Sequence, residues 1–294
     1  PVEGEPLMTE NETNNERIYG TTNNSPFVKD AFHDAITKND KELYEKLKNK
    51  ETGTKFSPVY RLTLATNETK IISLRLNNNE LENPFDENFN KIFSDRKAEA
   101  DEFYKKLFPG KIDEGLANIQ RQAFAGLLWS KQFYHYDVER WLQGDNDTIK
   151  PPQQRLTGRN ASWEHLMIAD VLAMPDKWEY PWFASWDLCF HCIPMAMVDP
   201  VFAKNQLILL CREWYMDPQG QIPAYEWNFS DVNPPIHAWS ALQVFLIEKK
   251  MTGNADIYFL KRIFQKQLVN FTWWTNREDA NENNIFTGGF LGLD

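Results

Sequence analysis

The chain has 294 residues, 42% of them hydrophobic and 25% charged, which is typical of a globular protein that buries a sizeable core. Its formal net charge of -10 argues against a nucleic-acid partner, because binding to phosphate backbones requires clustered lysine and arginine. No stretch approaches the ~18 consecutive apolar residues of a membrane-spanning helix, so no membrane segment is predicted.

Residues 1–57 are polar, with a helix predicted near residues 38–49. The opening segment is acidic, lacks the apolar core of a signal peptide and does not begin with methionine. The sequence ends in NIFTGGFLGLD, an apolar, glycine-punctuated run. We therefore expect the chain to be truncated at both ends.

Apolar and polar residues alternate over residues 60–64 and again over residues 72–76, on either side of a polar turn at 67–69. Two runs of period two joined by a short turn predict a β-hairpin. Because an isolated hairpin is only marginally stable in water, we expect it to be part of a larger sheet.

From about residue 94 the pattern becomes helical. Ser94 is a candidate N-cap, and residues 116–142 carry apolar side chains at three- and four-residue spacing. Further helices are predicted for WEHLMIADVLA, the segment after Asp187, AKNQLILLCREWY, HAWSALQVFLIEKKMTG and ADIYFLKRIFQKQLVNFTWWTN. Successive helices joined by long polar loops favour an α/α toroid or a large helical bundle.

The first cluster of candidate catalytic residues is WEYPWFASWDLCFHC. In this segment a single acid, Asp187, stands among Trp178, Tyr180, Trp182 and Trp186. Aromatic walls desolvate a carboxylate and raise its pKa, as a general acid requires at neutral pH. The alternative is that Asp187 caps the helix that follows, since Asp is favoured there.

The second cluster, GQIPAYEWNFSDVNPPIHAW, alternates polar groups such as Glu226, Asn228 and Asp231 with aromatic rings. This arrangement suits a site that hydrogen-bonds sugar hydroxyls and stacks on sugar faces. A rigid loop whose polar side chains satisfy its own backbone is an equal alternative. Its NPP segment stiffens the approach to the next helix.

Two further segments contain candidate ligand-binding residues. RLTGRNASWEH includes Arg159, which would grip a sugar or brace neighbouring loops, and FTGGFLGLD ends at Asp294 after glycines that permit close backbone approach. Cys189 and Cys192 have CxxC spacing with His191 between them, but a zinc site would be short of ligands. We expect cysteines packed on a helix, and predict no metal and no cofactor.

The clusters WFASWDLCFHCIPMAMVDP, IPAYEWNFSDVNPPIHAW and GGFLGLD, in that order, resemble glycoside hydrolase family 63. That family includes processing α-glucosidases and mannosylglycerate hydrolases, and the chain looks most like its large bacterial glucosidase-like members. The resemblance implies a mainly α fold, with residues 1–93 a remnant of a β-sandwich domain plus linker and residues 94–294 the first part of an (α/α)6 barrel.

The resemblance implies hydrolysis of α-glucosidic bonds with inversion, with Asp187 matching the family's general acid. It places the general base, a Glu, beyond residue 294. Candidate substrate-binding residues are Trp182, Phe183, Trp186, His191, Arg159, Glu226, Trp227, Asn228 and Asp294.

Two alternatives remain open at this point: a non-catalytic carbohydrate-binding protein, and another (α/α)6-barrel enzyme such as a trehalase-like hydrolase or a disaccharide phosphorylase. The expected partner is a carbohydrate substrate. The three cysteines look reduced, which favours a cytoplasmic location. The sequence leaves the oligomeric state and the particular sugar undetermined.

Overall fold

The computed structural model describes residues 4–107, 110, 112–144, 150–158, 160–226, 232–277 and 283. The chain divides into two compact units, Pro1–Arg96 and Lys97–Asp294. Helices predominate in the described residues, and the strands form two small two-stranded sheets. The prediction of a mainly α protein is therefore confirmed.

The first unit is built on the antiparallel pair β1 (Glu5–Thr9) and β2 (Lys55–Val59). Three helices lie between these strands: α1 (Asn15–Tyr19), α2 (Ala31–Thr37) and α3 (Lys41–Lys48). The last of these confirms the helix predicted near 38–49. The apolar core cluster of this unit comes from β1, α2 and α3, and its buried members are Leu7, Ala31, Ala35, Tyr44 and Leu47.

The predicted hairpin is wrong. Residues 60–76 contain no strand, although the turn at 66–67 is present. The apolar side chains of the segment are exposed, for example Leu74 at 66% and Leu76 at 102%. An alternating pattern gives a stable sheet only where a second layer buries its apolar face, and nothing among the described residues covers this one.

Helix α4 (Glu87–Leu107) begins well before Ser94, so the N-cap predicted there is also wrong. The Ser94 hydroxyl instead donates to the Asn90 carbonyl within the helix at 3.2 Å. Asp86 provides the side-chain acceptor for the first turn of α4, because its Oδ1 accepts from the Phe89 N–H at 2.9 Å. Helix α5 (Glu114–Trp129) follows.

Two segments that we predicted as helical form a sheet. Strands β3 (Lys131–Asp137) and β4 (Met167–Ala173) pair antiparallel, with Tyr134 opposite Asp170. On β4, Ile168 and Leu172 are fully buried whereas Met167, Ala169 and Val171 are exposed, an alternation typical of a strand. Short apolar runs do not distinguish a strand from a helix by periodicity alone, and this ambiguity caused the error.

Short elements connect the two strands. Helix α6 (Val138–Gln143) follows β3, and a 3-10 turn spans Gln153–Thr157. His135 therefore lies on a strand and His165 in a loop, rather than in the helices predicted for them.

Four helices predicted from the sequence are confirmed in the second unit: α7 (Ser185–Val198), α8 (Pro200–Leu209), α9 (His237–Thr252) and α10 (Ile257–Asn276). They share one apolar core with β4. Members of that core that are at most 4% exposed include Leu172, Leu188, Cys192, Met195, Ala203, Leu207, Val244, Phe259 and Ile263.

A partly buried ion-pair group joins three of these helices. Lys204 of α8 contacts Glu248 of α9 at 2.8 Å and Asp256 at 2.7 Å. Asp256 also caps α10 by accepting from the Phe259 N–H. A single cation thus holds two neighbouring helices in register, and removing one partner of such a group would leave buried charge uncompensated.

The core packing is tested by Leu207→Ala. Leu207 is 0% exposed, so its truncation leaves a cavity and is expected to lower the free energy of unfolding by about 2–5 kcal/mol. Val201→Ala on the same helix is the control, because Val201 is 60% exposed; its effect is expected within about 0.5 kcal/mol. Urea unfolding followed by circular dichroism measures both. Equal losses would contradict the assigned core.

Candidate active site

The candidate site is centred on the N-terminus of α7. Ala184 is the N-cap residue of this helix, and its side chain makes no capping hydrogen bond. Asp187 lies in the first turn. It is not the N-cap residue, but an acidic side chain is also favoured in the first turn of a helix, so the alternative that Asp187 stabilises the helix terminus remains open.

The Asp187 carboxyl is half-buried, and this burial raises its pKa. Two smaller influences act in the opposite direction: the backbone N–H of Asp187 itself and the nearby His191 imidazole. Since desolvation dominates, the environment favours the protonated carboxyl, which is the form that donates a proton.

His191 lies one helical turn after Asp187, at the i+4 position that shares its face. Burial lowers the pKa of this imidazole, while a hydrogen bond with the Met174 backbone and the charge of Asp187 oppose the shift. Its Nδ1 is buried and has no hydrogen-bond partner among the described residues. A neutral imidazole is therefore held beside the acid.

The predicted aromatic residues do not all face the same way. Trp182 is half-buried and packs edge-to-face on Tyr180 at 5.1 Å, and Trp186 packs similarly on Phe190 at 6.1 Å. Phe183 is 1% exposed and packs on Tyr215 inside the core. The Phe183 side chain therefore belongs to the core, whereas the Trp182 and Trp186 indoles are partly exposed to solvent.

The loop that contains the second cluster is bound to the start of α7. The Ser185 N–H donates to the Ala224 carbonyl at 2.9 Å, and Ala184 forms an antiparallel β-bridge with Tyr225. This pairing places the next residue, Glu226, close to the residues that precede α7, and its carboxyl accepts a hydrogen bond from the Phe183 backbone. The two motifs predicted to carry chemistry are thus brought together by backbone pairing.

Glu226 is 0% exposed, which is unusual for a carboxylate. Its Oε1 accepts a 2.8 Å hydrogen bond from the Tyr134 hydroxyl on β3. Its Oε2 is buried without a partner among the described residues. Desolvation raises the pKa of Glu226 to about 7, despite bonds from the Tyr134 hydroxyl and from backbone groups of Glu226 and Phe183 that lower it.

Strand β3 supplies polar groups that the sequence did not reveal. Tyr134 and Tyr136 stand two residues apart on one face of the strand; the first binds Glu226, and the second accepts from the Asn160 amide at 3.0 Å. Opposite, Tyr215 donates to Asp170 at 3.1 Å. The alternation of the two tyrosines in KQFYHYD was the signal available, and predicting a helix there concealed it.

A small cavity of about 30 Å³ lies at the same end of α7. Its lining includes Ser185, Trp186, Asn233, His237, Asn270 and Trp273, and does not include Asp187. The volume is close to that of one or two water molecules, so this cavity is too small for a sugar ring.

Cys189 and Cys192 pack on α7, as predicted, and Cys211 lies in the turn after α8; all three are free and buried. Burial raises the pKa of each thiol. Within the described ranges there is no group of three or more His, Cys, Asp or Glu side chains that could hold a metal ion.

Four predicted substrate-binding residues lie outside the described residues: Arg159, Trp227, Asn228 and Asp294. Asp231 of the second cluster does so as well. The roles predicted for these residues stay predictions.

Comparison with known families indicates a glycoside hydrolase domain. Residues 180–288 match the sequence model of the mannosylglycerate hydrolase MGH1-like glycoside hydrolase domain. This segment runs from the loop before α7 through α10, and it contains Asp187, Glu226 and the NPP segment. The predicted resemblance to mannosylglycerate hydrolase-like glycosidases is confirmed over these residues.

The chain is also similar to a yeast protein, the uncharacterized protein YMR196W of Saccharomyces cerevisiae. The two are 49% identical over 300 residues, a match that covers 98% of this chain and 27% of the yeast protein. The chain therefore spans about a quarter of the length of that relative. No solved structure matches the chain.

No helix in the part of the chain that the structure describes is both long enough and apolar enough to cross a membrane.

The buried state of Glu226 predicts a pH-dependent stability. Its pKa of about 7 in the folded protein exceeds the ordinary carboxyl value of ~4.3. Unfolding therefore releases a proton between these two values, and stability falls as the pH rises through that window. Glu226→Gln retains the oxygen facing Tyr134 and removes the titration. We expect the stability of wild type relative to the variant to fall by up to about 3 kcal/mol between about pH 4.5 and 8.

Urea unfolding of both proteins at the two pH values measures this difference. Because every other titrating group is shared, subtracting one protein from the other isolates Glu226. A difference that stays constant with pH would show that the carboxyl titrates normally.

Proposed function

We propose that the complete protein to which this chain corresponds is an inverting glycoside hydrolase that cleaves α-glucosidic bonds in oligosaccharides or small glycosides. Asp187 is its general acid and protonates the oxygen of the leaving group. Residues 1–93 belong to a β-sandwich domain with its linker, and residues 94–294 form the first part of an (α/α)6 barrel.

The observation that carries the proposal is the position of Asp187. It is a half-buried carboxyl in the first turn of α7, with its pKa raised by burial, inside the segment that matches a glycoside hydrolase domain. A carboxyl whose surroundings favour the protonated form is suited to donate a proton to the leaving oxygen, the first requirement of glycosidic bond cleavage. The half-buried indoles of Trp182 and Trp186, close to Asp187 in the sequence, offer apolar faces for a sugar ring.

An inverting mechanism also needs a general base about 6.5–9.5 Å from the acid, with a water molecule between them. Glu226 is an unsuitable base, because its carboxyl is fully buried, bonded to Tyr134 and favours the protonated state. The proposed base is a Glu beyond residue 294. Glu226 is instead proposed to hold the loop that carries the substrate-binding residues.

The roles proposed for the remaining polar residues follow from position. His191 shares the helix face of Asp187, so its imidazole would hydrogen-bond a sugar hydroxyl next to the bond that is cleaved. Arg159, Trp227, Asn228 and Asp294 are proposed as further substrate contacts on the strength of the family resemblance.

The test is Asp187→Asn in the complete protein. Asn is nearly isosteric with Asp but donates no proton to the leaving oxygen, so kcat on an α-glucoside is expected to fall by about 10²–10⁴-fold with KM little changed. Initial rates with α-linked disaccharides and an aryl α-glucoside, with and without phosphate, provide the measurement.

Asp95→Asn is the matched control, because Asp95 is an exposed carboxylate on α4 paired with Lys91. Its kcat should equal that of wild type. Unchanged turnover in Asp187→Asn would remove the acid from the mechanism. Carbohydrate binding without turnover in wild type would favour the non-catalytic alternative, and turnover that requires phosphate would favour a phosphorylase.

A further inference from the structure

Helix α7 begins without a cap of its own. The first N–H groups of any α-helix lack intrahelical partners, and the N-cap side chain usually accepts from one of them. Ala184 occupies the N-cap position in extended backbone geometry and has no side-chain acceptor. The helix that presents Asp187 therefore depends on another part of the chain for an acceptor at its first turn.

Asn233 supplies the missing acceptor from 47 residues away. Its Oδ1 accepts from the Ser185 hydroxyl at 3.0 Å and lies 3.4 Å from the Trp186 backbone nitrogen, which donates to it. Trp186 is the second residue of the helix, which is one of the two positions that an N-cap side chain normally serves. The Ser185 N–H is satisfied separately by the Ala224 carbonyl.

The residues around Asn233 fix the position of its side-chain amide. Its side chain is only 9% exposed, so the amide is committed to partners within the protein. Pro234 and Pro235 follow and fix the backbone φ on the way into α9, which starts at His237. The position of the acceptor is thus set by a stiff segment and not by a flexible loop tip.

We propose that Asn233 is a positioning residue for Asp187: it caps α7 in trans and holds the first helical turn, on which the acid lies. The proposal rests on the function proposed above for Asp187. It assigns a purpose to the NPP segment, whose approach to α9 presents an amide oxygen to a different helix. Asn233 itself contacts neither the substrate nor the reacting atoms.

Three variants of the chain separate capping from general structural support. Asn233→Leu removes the acceptor at similar size, and Asn233→Asp retains it. The double variant Asn233→Leu/Ala184→Ser restores a cap within α7 itself, since Ser is a favoured N-cap residue in extended geometry.

The first readout is amide hydrogen exchange. In Asn233→Leu we expect exchange at the first-turn amides of α7 to rise by about 5- to 30-fold, the usual effect of losing a cap. Asn233→Asp and the double variant are expected to return to within about 3-fold of wild type. The last turn of α7 should not change in any of them.

The second readout is the pKa of the Asp187 carboxyl, followed by carbon NMR and assigned with Asp187→Asn. Because burial raises this pKa in wild type, fraying of the first turn should move it down towards the ordinary value in Asn233→Leu. The double variant should restore it. A residue with a merely structural role elsewhere would leave this titration unchanged.

Either unchanged exchange in Asn233→Leu or failure of Ala184→Ser to rescue it would overturn the proposal. If Asn233→Leu does not fold, recovery of folding in the double variant supports capping and continued failure rejects it. These readouts use no substrate, so they stay separate from the activity test of Asp187→Asn. Should the cap be verified while Asp187→Asn stays fully active, the proposed function fails and the capping remains.

Discussion

The junction between the two motifs of the second unit depends on one backbone contact, the hydrogen bond from the Ser185 N–H to the Ala224 carbonyl. Together with the bridge between Ala184 and Tyr225, this bond joins motifs that are distant in sequence. It brings Glu226, the residue after Tyr225, close to the start of α7 and ties the first turn of α7 to the loop. Because backbone groups make the bond, side-chain chemistry on either motif is free to serve another purpose.

The junction buries the Glu226 carboxyl, and this burial destabilises its charged form. A fully buried carboxyl loses its hydration and is compensated only in part by the Tyr134 hydroxyl and by backbone N–H groups. The result is a group that favours its neutral form. Asp187 is less deeply buried, and its partial burial also raises its pKa. Two carboxyls therefore titrate differently owing to their surroundings, and only the shallower one has access to solvent.

The similarity to glycoside hydrolases is confined to a defined stretch. The family model covers residues 180–288, which contain α7 to α10 and both motifs, whereas the similarity to the yeast protein extends over 98% of the chain. That protein is far longer than this chain, which spans 27% of it. The activity is accordingly a property proposed for a complete protein, while the capping of α7 is a property of the chain itself.

The sequence by itself determined the mainly α class, helices α3 and α7–α10, and the resemblance to glycoside hydrolases over residues 180–288, because long amphipathic periods and aromatic–polar clusters are local signals. It failed for β3 and β4, because short apolar runs fit strand and helix equally well and only burial against a second layer decides between them. It failed for residues 60–76, because their alternating pattern predicts strands and nothing among the described residues covers the apolar face. That Tyr134 meets Glu226, and that Asn233 caps a helix beginning at Ser185, was decided by tertiary structure alone. Contacts between residues so far apart depend on how the chain packs, and no local pattern encodes them.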